Sequence, residues 1–420
     1  MSRDPLPEFD TTEPSVPLRT QAAIYATGGF GNASENVYSV ILPLWAVALG
    51  ASPLMVGMLI GARHFLAALL AIPGGALMDR LGTRRILLAV GLIGAVTPLM
   101  YPSMPWLAAA LMLQLIGGLS SAFSWMGAQA QVGEIMRGSP AYAGRMSFSL
   151  RITQVAGPPL AGLSWDIGGP WGGFAFLALW GICQFIAILA LPRPAAPAPT
   201  GDAVPAKKLR LGDIMPRMSD YGAALGLLAV PAIALVMMLT ILRISGNGIH
   251  FSFYVVYLKD VGFTGTSIGL LVATASLFGF AGALSIAPMS RRFSAHWLLL
   301  VLVAAGIALV SITPLLGASF IALAVAASMR GWVMGLSQPV MISMLARAAG
   351  PGNQGKAVGL RTTANRIASS TVPILMGAVV EVVGLHNGFY VFGGVLLLAL
   401  LPVARHVART PAFAARKDAP

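Results

Sequence analysis

Ionisable side chains lie within long apolar stretches of this 420-residue sequence, where a charge is costly and usually marks a functional site. Glu35 is the acidic residue set deepest in such a stretch, roughly 16 Å along the predicted helix, and Arg63 lies at similar depth in the next stretch. A carboxylate with a movable cationic partner can load and release a proton, so this pair predicts coupling or substrate contact. A permanent Glu35–Arg63 ion pair that only joins two helices is the alternative.

Arginines outnumber acids in these stretches, which favours a substrate with carboxylate or phosphate groups. The five that fall within predicted spans are Arg63, Arg151, Arg243, Arg330 and Arg366. Other polar or aromatic residues predicted to share a central cavity with Glu35 are Asn32, His64, Gln114, Asn247, His250 and Trp332. Arg151 and Arg366 stand near the cytoplasmic ends of their spans, where snorkelling to headgroups is preferred over lining an inner gate.

The elements that position these residues are predicted to be transmembrane helices. The chain is 57% hydrophobic and 10% charged, with a mean hydropathy of +0.80, so its apolar surface must face lipid. Continuous apolar stretches of about 20 residues match the thickness of the hydrocarbon layer. Twelve are predicted, at 22–49, 53–77, 84–102, 106–131, 146–165, 172–191, 226–258, 266–288, 297–315, 318–345, 360–383 and 387–403. The predicted fold class is an all-α membrane protein.

The net charge of +13 indicates orientation and not a nucleic-acid partner. With the N-terminus inside, most of the 27 Lys and Arg residues fall in cytoplasmic loops and tails, and Lys259 alone faces outward. The first 20 residues contain acids and prolines in place of the basic and apolar layout of a cleavable signal. We therefore expect a multi-pass protein of a bacterial cytoplasmic (inner) membrane with both termini in the cytoplasm.

Two six-helix halves are predicted on either side of a Pro-rich, basic linker. The predicted units are a disordered tail at 1–20, bundles at 21–192 and 221–404, the linker at 193–220 and a cytoplasmic tail at 405–420. The halves repeat each other: Gly57 matches Gly269 at an offset of 212, and Asp166 matches Glu381 at an offset of 215.

The loop after the second span resembles the G-x-L-x-D-R-x-G-x-R-R loop of the major facilitator superfamily. Its matching residues are Gly75, Asp79, Arg80, Gly82, Arg84 and Arg85. In that family the loop is a cytoplasmic latch between the halves, whereas basic residues alone would also serve orientation. The resemblance implies two pseudo-symmetric six-helix bundles that rock about a substrate site near the bilayer midplane.

The fifth span contains Gly157 and Pro158, similar to the Gly-Pro-x-x-Gly-Gly element of many antiporters in that family. The repeat places Arg366 and Pro373 at the matching positions of the eleventh span, opposite Arg151 and Pro158. Plain helix packing explains these small residues and prolines equally well. Gln114 stands where the drug:proton subgroup usually has an arginine, which argues against drug antiport.

The sequence therefore predicts a secondary transporter of a small organic solute, working by alternating access and proton-coupled efflux. Uptake or exchange of an organic anion is the alternative, and a non-transporting membrane receptor or assembly factor is a third hypothesis. No nucleotide-binding loop or Cys/His metal cluster stands in the sequence, so no enzyme, cofactor or metal is predicted. The expected partners are a small substrate, for which the arginines favour an anion, together with protons and the lipid bilayer. The expected state is a monomer.

Overall fold

A computed structural model describes residues 16–136, 140–192, 225–350 and 354–410. Within these ranges the secondary structure is helical, with no strand. A helix pairs its backbone donors and acceptors internally, which is the requirement for crossing hydrocarbon. Most of the predicted N-terminal tail, the predicted linker and the last ten residues lie outside the described ranges.

The first half contains six helices. These are α1 (Leu18–Ala48), α2 (Pro53–Leu81), α3 (Thr83–Ser103), α4 (Leu107–Ile135) and a continuous stretch, Pro140–Leu189, that forms α5 and α6. Gly169 divides α5 (140–168) from α6 (170–189), because its φ of 55° and ψ of −143° interrupt the helix.

The second half contains six more helices. They are α7 (Pro231–Asp260), α8 (Gly265–Leu284), α9 (Ala295–Ser311), α10 (Phe320–Ala349), α11 (Gln354–Val383) and α12 (Leu385–Arg409). A π-helical turn at His250–Tyr254 interrupts α7. A short helix at Ile286–Arg292 joins α8 to α9 and makes a bend of 120° with α9.

The prediction of twelve helices is confirmed. Nine helical elements among the described residues are long and apolar enough to cross a membrane, one of them being the merged α5–α6 stretch. Helix α9 has only 17 residues, and α1 is diluted by polar residues around Glu35.

Several helix ends differ from the predicted spans because a helix continues past the hydrocarbon boundary into polar sequence. Helix α5 begins at Pro140, ahead of the predicted start at 146, and this places Arg151 further from the end of its helix than expected. Helix α12 reaches Arg409, beyond the bundle boundary predicted at residue 404.

The two halves meet closely along two helix pairs, α2 with α11 and α5 with α8. A Cβ on Gly57 would meet the main chain of Pro373, and a Cβ on Gly269 would meet the main chain of Pro158. Glycine is required at both positions because the backbones touch. We call this end of the molecule, where α2 and α8 begin, the closed face.

Two carboxylates join the halves at the closed face. Asp166 of α5 accepts hydrogen bonds from the backbone N–H groups of Gly265 and Thr266, both 2.7 Å, and from the Thr266 hydroxyl. Glu381 of α11 accepts a hydrogen bond of 3.1 Å from the Leu54 N–H. Each carboxylate thus satisfies free donors at the start of a helix in the opposite half, where the helix dipole favours negative charge.

Candidate functional site

A cavity of about 290 Å³ lies between the two halves. The first half lines it with Asn36, Arg151 and Gln154, and the second half with Arg243, Asn247, His250, Ser276, Arg330 and Gln338, among others. Arginines contribute the charged groups of this wall, and no carboxylate is among its lining residues. The cavity is therefore a donor-rich, cationic space that both halves share.

In the second half, Arg330 and His250 form a buried pair. Arg330 is 6% exposed, and its Nη2 lies 2.9 Å from Nε2 of His250. A guanidinium can only donate, so Nε2 accepts and the proton of a neutral imidazole is on Nδ1. Nδ1 is buried without a hydrogen-bond partner. The ring belongs to the π-helical turn of α7, an irregularity that often marks functional sites.

Arg243 is held by neutral groups of α10. Its Nε donates to the Ser337 hydroxyl at 2.8 Å, and its Nη2 donates to the Met334 carbonyl at 3.4 Å. Arg151 likewise donates to a neutral acceptor, the Gln154 side-chain oxygen, at 3.4 Å. These hydrogen bonds orient the guanidinium groups without neutralising them.

A second polar cluster surrounds Arg63, which is 3% exposed. Its Nε donates to Glu35 at 3.0 Å and its Nη2 donates to the Ser121 hydroxyl at 2.6 Å. The guanidinium carbon lies 3.8 Å from the centre of the Tyr38 ring. His64 Nε2 lies 3.4 Å from the other Glu35 oxygen. Glu35 therefore stands between two basic side chains.

Close helix contacts position this cluster. A Cβ on Gly118 would meet the Arg63 carbonyl, so only glycine lets α4 approach α2 at this level. The approach brings Gln114 within 3.5 Å of Arg63 Nη1. A further link leads toward the cavity, because the Gln154 amide donates to the Asn32 oxygen at 2.7 Å.

The structure separates the predicted cavity residues into two groups. Arg243, Asn247, His250 and Arg330 line the cavity, whereas Glu35, Arg63, His64 and Gln114 form the adjoining cluster. Asn32 is hydrogen-bonded to Gln154 of the cavity wall. Trp332 belongs to neither group, since its indole N–H donates to Ser285 of the second half at 3.2 Å. Arg366 interacts electrostatically with Glu35 and His64 across the halves.

Sequence reasoning did not single out Gln154, Asn36, Gln338 or Arg361. Gln154 stands one helical turn after Arg151 and Asn36 stands one turn after Asn32, so the helical period was the available signal. Arg361 stands at the edge of the predicted eleventh span, and its Nε is buried without a partner.

The loop that resembles a latch is described only in part. The side chains of Asp79 and Arg80 and the surroundings of Gly75 lie outside the described part of the structure. Gly82 ends α2 with a φ of 86°, Arg85 is exposed, and Arg84 donates to the carbonyls of Leu189 and Leu191 at the end of α6, each at 3.1 Å.

The glycine and proline elements of α5 and α11 lie where helices pack. A Cβ on Gly157 would meet a Val37 methyl group at 2.8 Å, which accounts for close packing of α5 on α1. Pro158 and Pro373 present their carbonyls to Gly269 and Gly57 of the opposite half at the closed face.

The family model described as the Major Facilitator Superfamily matches residues 24–255 and again 233–420, which together include nearly the whole chain. The chain belongs to the Major Facilitator Superfamily. Its two matches overlap at residues 233–255, within α7.

Solved transporters have the same fold as this member of the superfamily. The nucleoside transporter NupG superposes with a TM-score of 0.74, 14% identity and coverage of 94% of this chain and 100% of that one. A point mutant of the same transporter gives a TM-score of 0.76 at 14% identity over 93% of this chain and 100% of that one. A bacterial homologue of the human lysosomal transporter Spinster, inward-facing and unoccupied, gives 0.67 at 16% identity over 94% of this chain and 97% of that one.

Among curated proteins, Autophagy-related protein 22-2 of Emericella nidulans is 30% identical over 207 residues. The match includes 43% of this superfamily member and 32% of the relative, so the chain spans about a third of that protein's length.

Proposed function

We propose that this superfamily transporter moves a small organic anion across the membrane by rocking its two bundles around the cavity. The observation that supports the proposal is the set of three cavity arginines, Arg151, Arg243 and Arg330, whose described hydrogen-bond acceptors are all neutral. Two unit charges 4 Å apart attract by about 4 kcal/mol at an effective dielectric constant of about 20. A bound anion would therefore be stabilised where a cation would be repelled.

The substrate names of similar structures do not transfer to this chain, because one fold serves many solutes. NupG is named for nucleosides, which are neutral. The cavity of this chain is lined by arginines and by no carboxylate, and such a lining binds an anionic hydrogen-bond acceptor more strongly than a neutral one. An organic anion is therefore preferred to a nucleoside as the proposed cargo.

The proposal is tested by a thermal-shift screen of the purified protein against organic anions, cations and neutral metabolites. We expect anions to raise the melting temperature of the wild type, and Arg330→Gln to remove that effect because it deletes the buried cation. Arg347→Gln, at an exposed arginine near the end of the same helix, is the matched control. Stabilisation by cationic or neutral solutes that is unchanged in Arg330→Gln would contradict the proposal.

Proton coupling through Glu35, with net efflux, is the second candidate. Glu35 pairs with Arg63 and His64 in its own half, and Arg366 of the other half acts on it electrostatically. Movement of the halves would therefore change the charge around Glu35, which is what coupling of protonation to conformation requires.

Glu35→Gln tests the coupling in everted membrane vesicles and proteoliposomes. The amide still accepts a hydrogen bond from Arg63, so we expect normal expression and retained substrate exchange, with loss of transport driven by a pH gradient. Glu134→Gln, an exposed glutamate of α4, is the control. Unchanged gradient-driven transport in Glu35→Gln would remove Glu35 from the mechanism, and import in place of export would reverse the proposed direction.

A further inference from the structure

Arg243 and Arg330 of the second half lie at two different depths, which can be read from the positions of Arg243 and His250 along α7. His250, the partner of Arg330, follows Arg243 by about two helical turns, which corresponds to roughly 10 Å along the axis. Arg243 is held by Ser337 and Met334 at the other level. The wall thus offers two separate positions where an anionic group could be bound.

Arg361 of α11 adds a further cation near Arg243. The two guanidinium groups are close enough to interact electrostatically, and the Arg361 Nε is buried without a partner. Helix α11 packs tightly on α7, since a Cβ on Gly248 would meet a Val372 methyl group at 2.6 Å. Two arginines without a shared carboxylate repel each other unless an anion lies between them.

No described carboxylate neutralises these groups. The ion pairs among the described residues both involve Glu35, which is already engaged with Arg63 and His64. A monoanion can neutralise one of the two positions and leaves the other buried and uncompensated, which is unfavourable. A solute with an anionic group at each end satisfies both positions at once.

On the basis of the proposed function, we infer that the preferred substrate carries two anionic groups at opposite ends, one bound by Arg243 and the other by Arg330. His250, whose Nδ1 has no hydrogen-bond partner, lines the cavity at the Arg330 position. The cavity volume of about 290 Å³ equals the space of roughly ten waters, so the solute is small. Chain-like dicarboxylates and phosphorylated acids belong to this class.

The test compares α,ω-dicarboxylates of increasing chain length with their half-amides of equal length, by calorimetric binding to the purified full-length protein. Each half-amide keeps the size and one charge but loses the second. We expect the best dicarboxylate to bind about tenfold more tightly than its half-amide, since one charge-assisted contact is added. Binding is expected to be optimal when the two carboxylates are about 10 Å apart.

Arg243→Gln tests the second position. We expect this variant to bind the dicarboxylate no better than the half-amide, with half-amide affinity unchanged, and Arg243→Lys to keep part of the preference. Arg347→Gln is the control and retains the full preference. An unchanged preference in Arg243→Gln would overturn the assignment of this residue.

The outcomes separate the inference from the proposed function. Equal binding of dicarboxylate and half-amide by the wild type would overturn the two-charge inference and leave anion transport standing. Binding of neutral or cationic solutes, with neither carboxylate probe bound, would overturn both.

Discussion

Removal of one charge from the Glu35–Arg63 pair is expected to lower the stability of the protein substantially. Arg63 is 3% exposed, whereas the Glu35 side chain is 37% exposed. The neutral groups around Arg63, including Ser121 and Gln114, orient its guanidinium but cannot balance its charge. Glu35 is therefore the group that keeps Arg63 stable in the bundle.

Glu35→Ala is predicted to destabilise the protein by about 3 kcal/mol, because it leaves the Arg63 charge buried and unpaired. Glu35→Gln is predicted to cost somewhat less, since the amide oxygen keeps a hydrogen bond from Arg63 although the Arg63 charge is no longer balanced. Thermal unfolding of the detergent-purified variants measures the difference. Equal melting temperatures for wild type and Glu35→Ala would show that Arg63 does not depend on this carboxylate.

At the closed face, two carboxylates join helices of opposite halves in the same way, by accepting hydrogen bonds from backbone N–H groups at a helix start. Asp166 binds the start of α8, and its repeat partner Glu381 binds the start of α2. Both contacts must break when the closed face opens in the proposed alternating access. Because a hydrogen bond to a charged group contributes about 1.5–3 kcal/mol, each contact favours the closed arrangement.

Asp166→Ala is predicted to open the closed face more often. In a Cys183→Ser background, a cysteine at Ser370, which is 7% exposed and lies where α11 meets Gly61 of the opposite half, reports the opening by its rate of reaction with a maleimide. We expect the rate to rise about tenfold, from the loss of about 1.5 kcal/mol. Asp260→Ala, at an exposed carboxylate on the same side of the membrane, is expected to leave the rate unchanged.

Gly118 determines the spacing between α4 and α2, because the backbones touch at the Arg63 carbonyl. Gly118→Val is predicted to destabilise the protein by about 1–3 kcal/mol through overpacking, and to weaken the Gln114–Arg63 hydrogen bond. Gly133→Val of the same helix is the control, since a Cβ there has nothing within 4 Å. The melting temperatures of the two variants provide the comparison, and equal values would argue against a required close approach.

At the scale of the whole molecule, the alternation of twelve helices puts Arg85 and Lys259 on opposite sides of the membrane. Arg85 begins α3 and Lys259 ends α7, and both side chains are exposed. Basic residues remain preferentially in the cytoplasm, so the Arg85 side is the proposed cytoplasmic side.

Intact cells test this orientation with a membrane-impermeant maleimide. Lys259→Cys is predicted to react in intact cells, and Arg85→Cys only after the membrane is permeabilised, both in the Cys183→Ser background. The reverse pattern would mean that the N-terminus faces outward.

The local composition of the chain was sufficient to predict the twelve helices, the superfamily and the repeat. The helices and the superfamily depend on residues close in sequence, namely an apolar stretch long enough for the bilayer and a loop motif. The repeat depends on matching residues at a constant offset, such as Gly57 and Gly269. The partnership of Glu35 with Arg63 could be proposed because both lie at similar depth in consecutive helices.

Helix rotation and packing determined which polar residues meet, and sequence spacing does not contain that information. Trp332 turns toward Ser285 while its near neighbour Arg330 reaches His250, because successive residues of a helix point in different directions. Arg361 interacts with Arg243 only because α11 packs tightly on α7. The arginine-lined cavity thus follows from contacts between helices that are far apart in the chain. The direction in which each helix turns its side chains depends on the packing of the whole bundle.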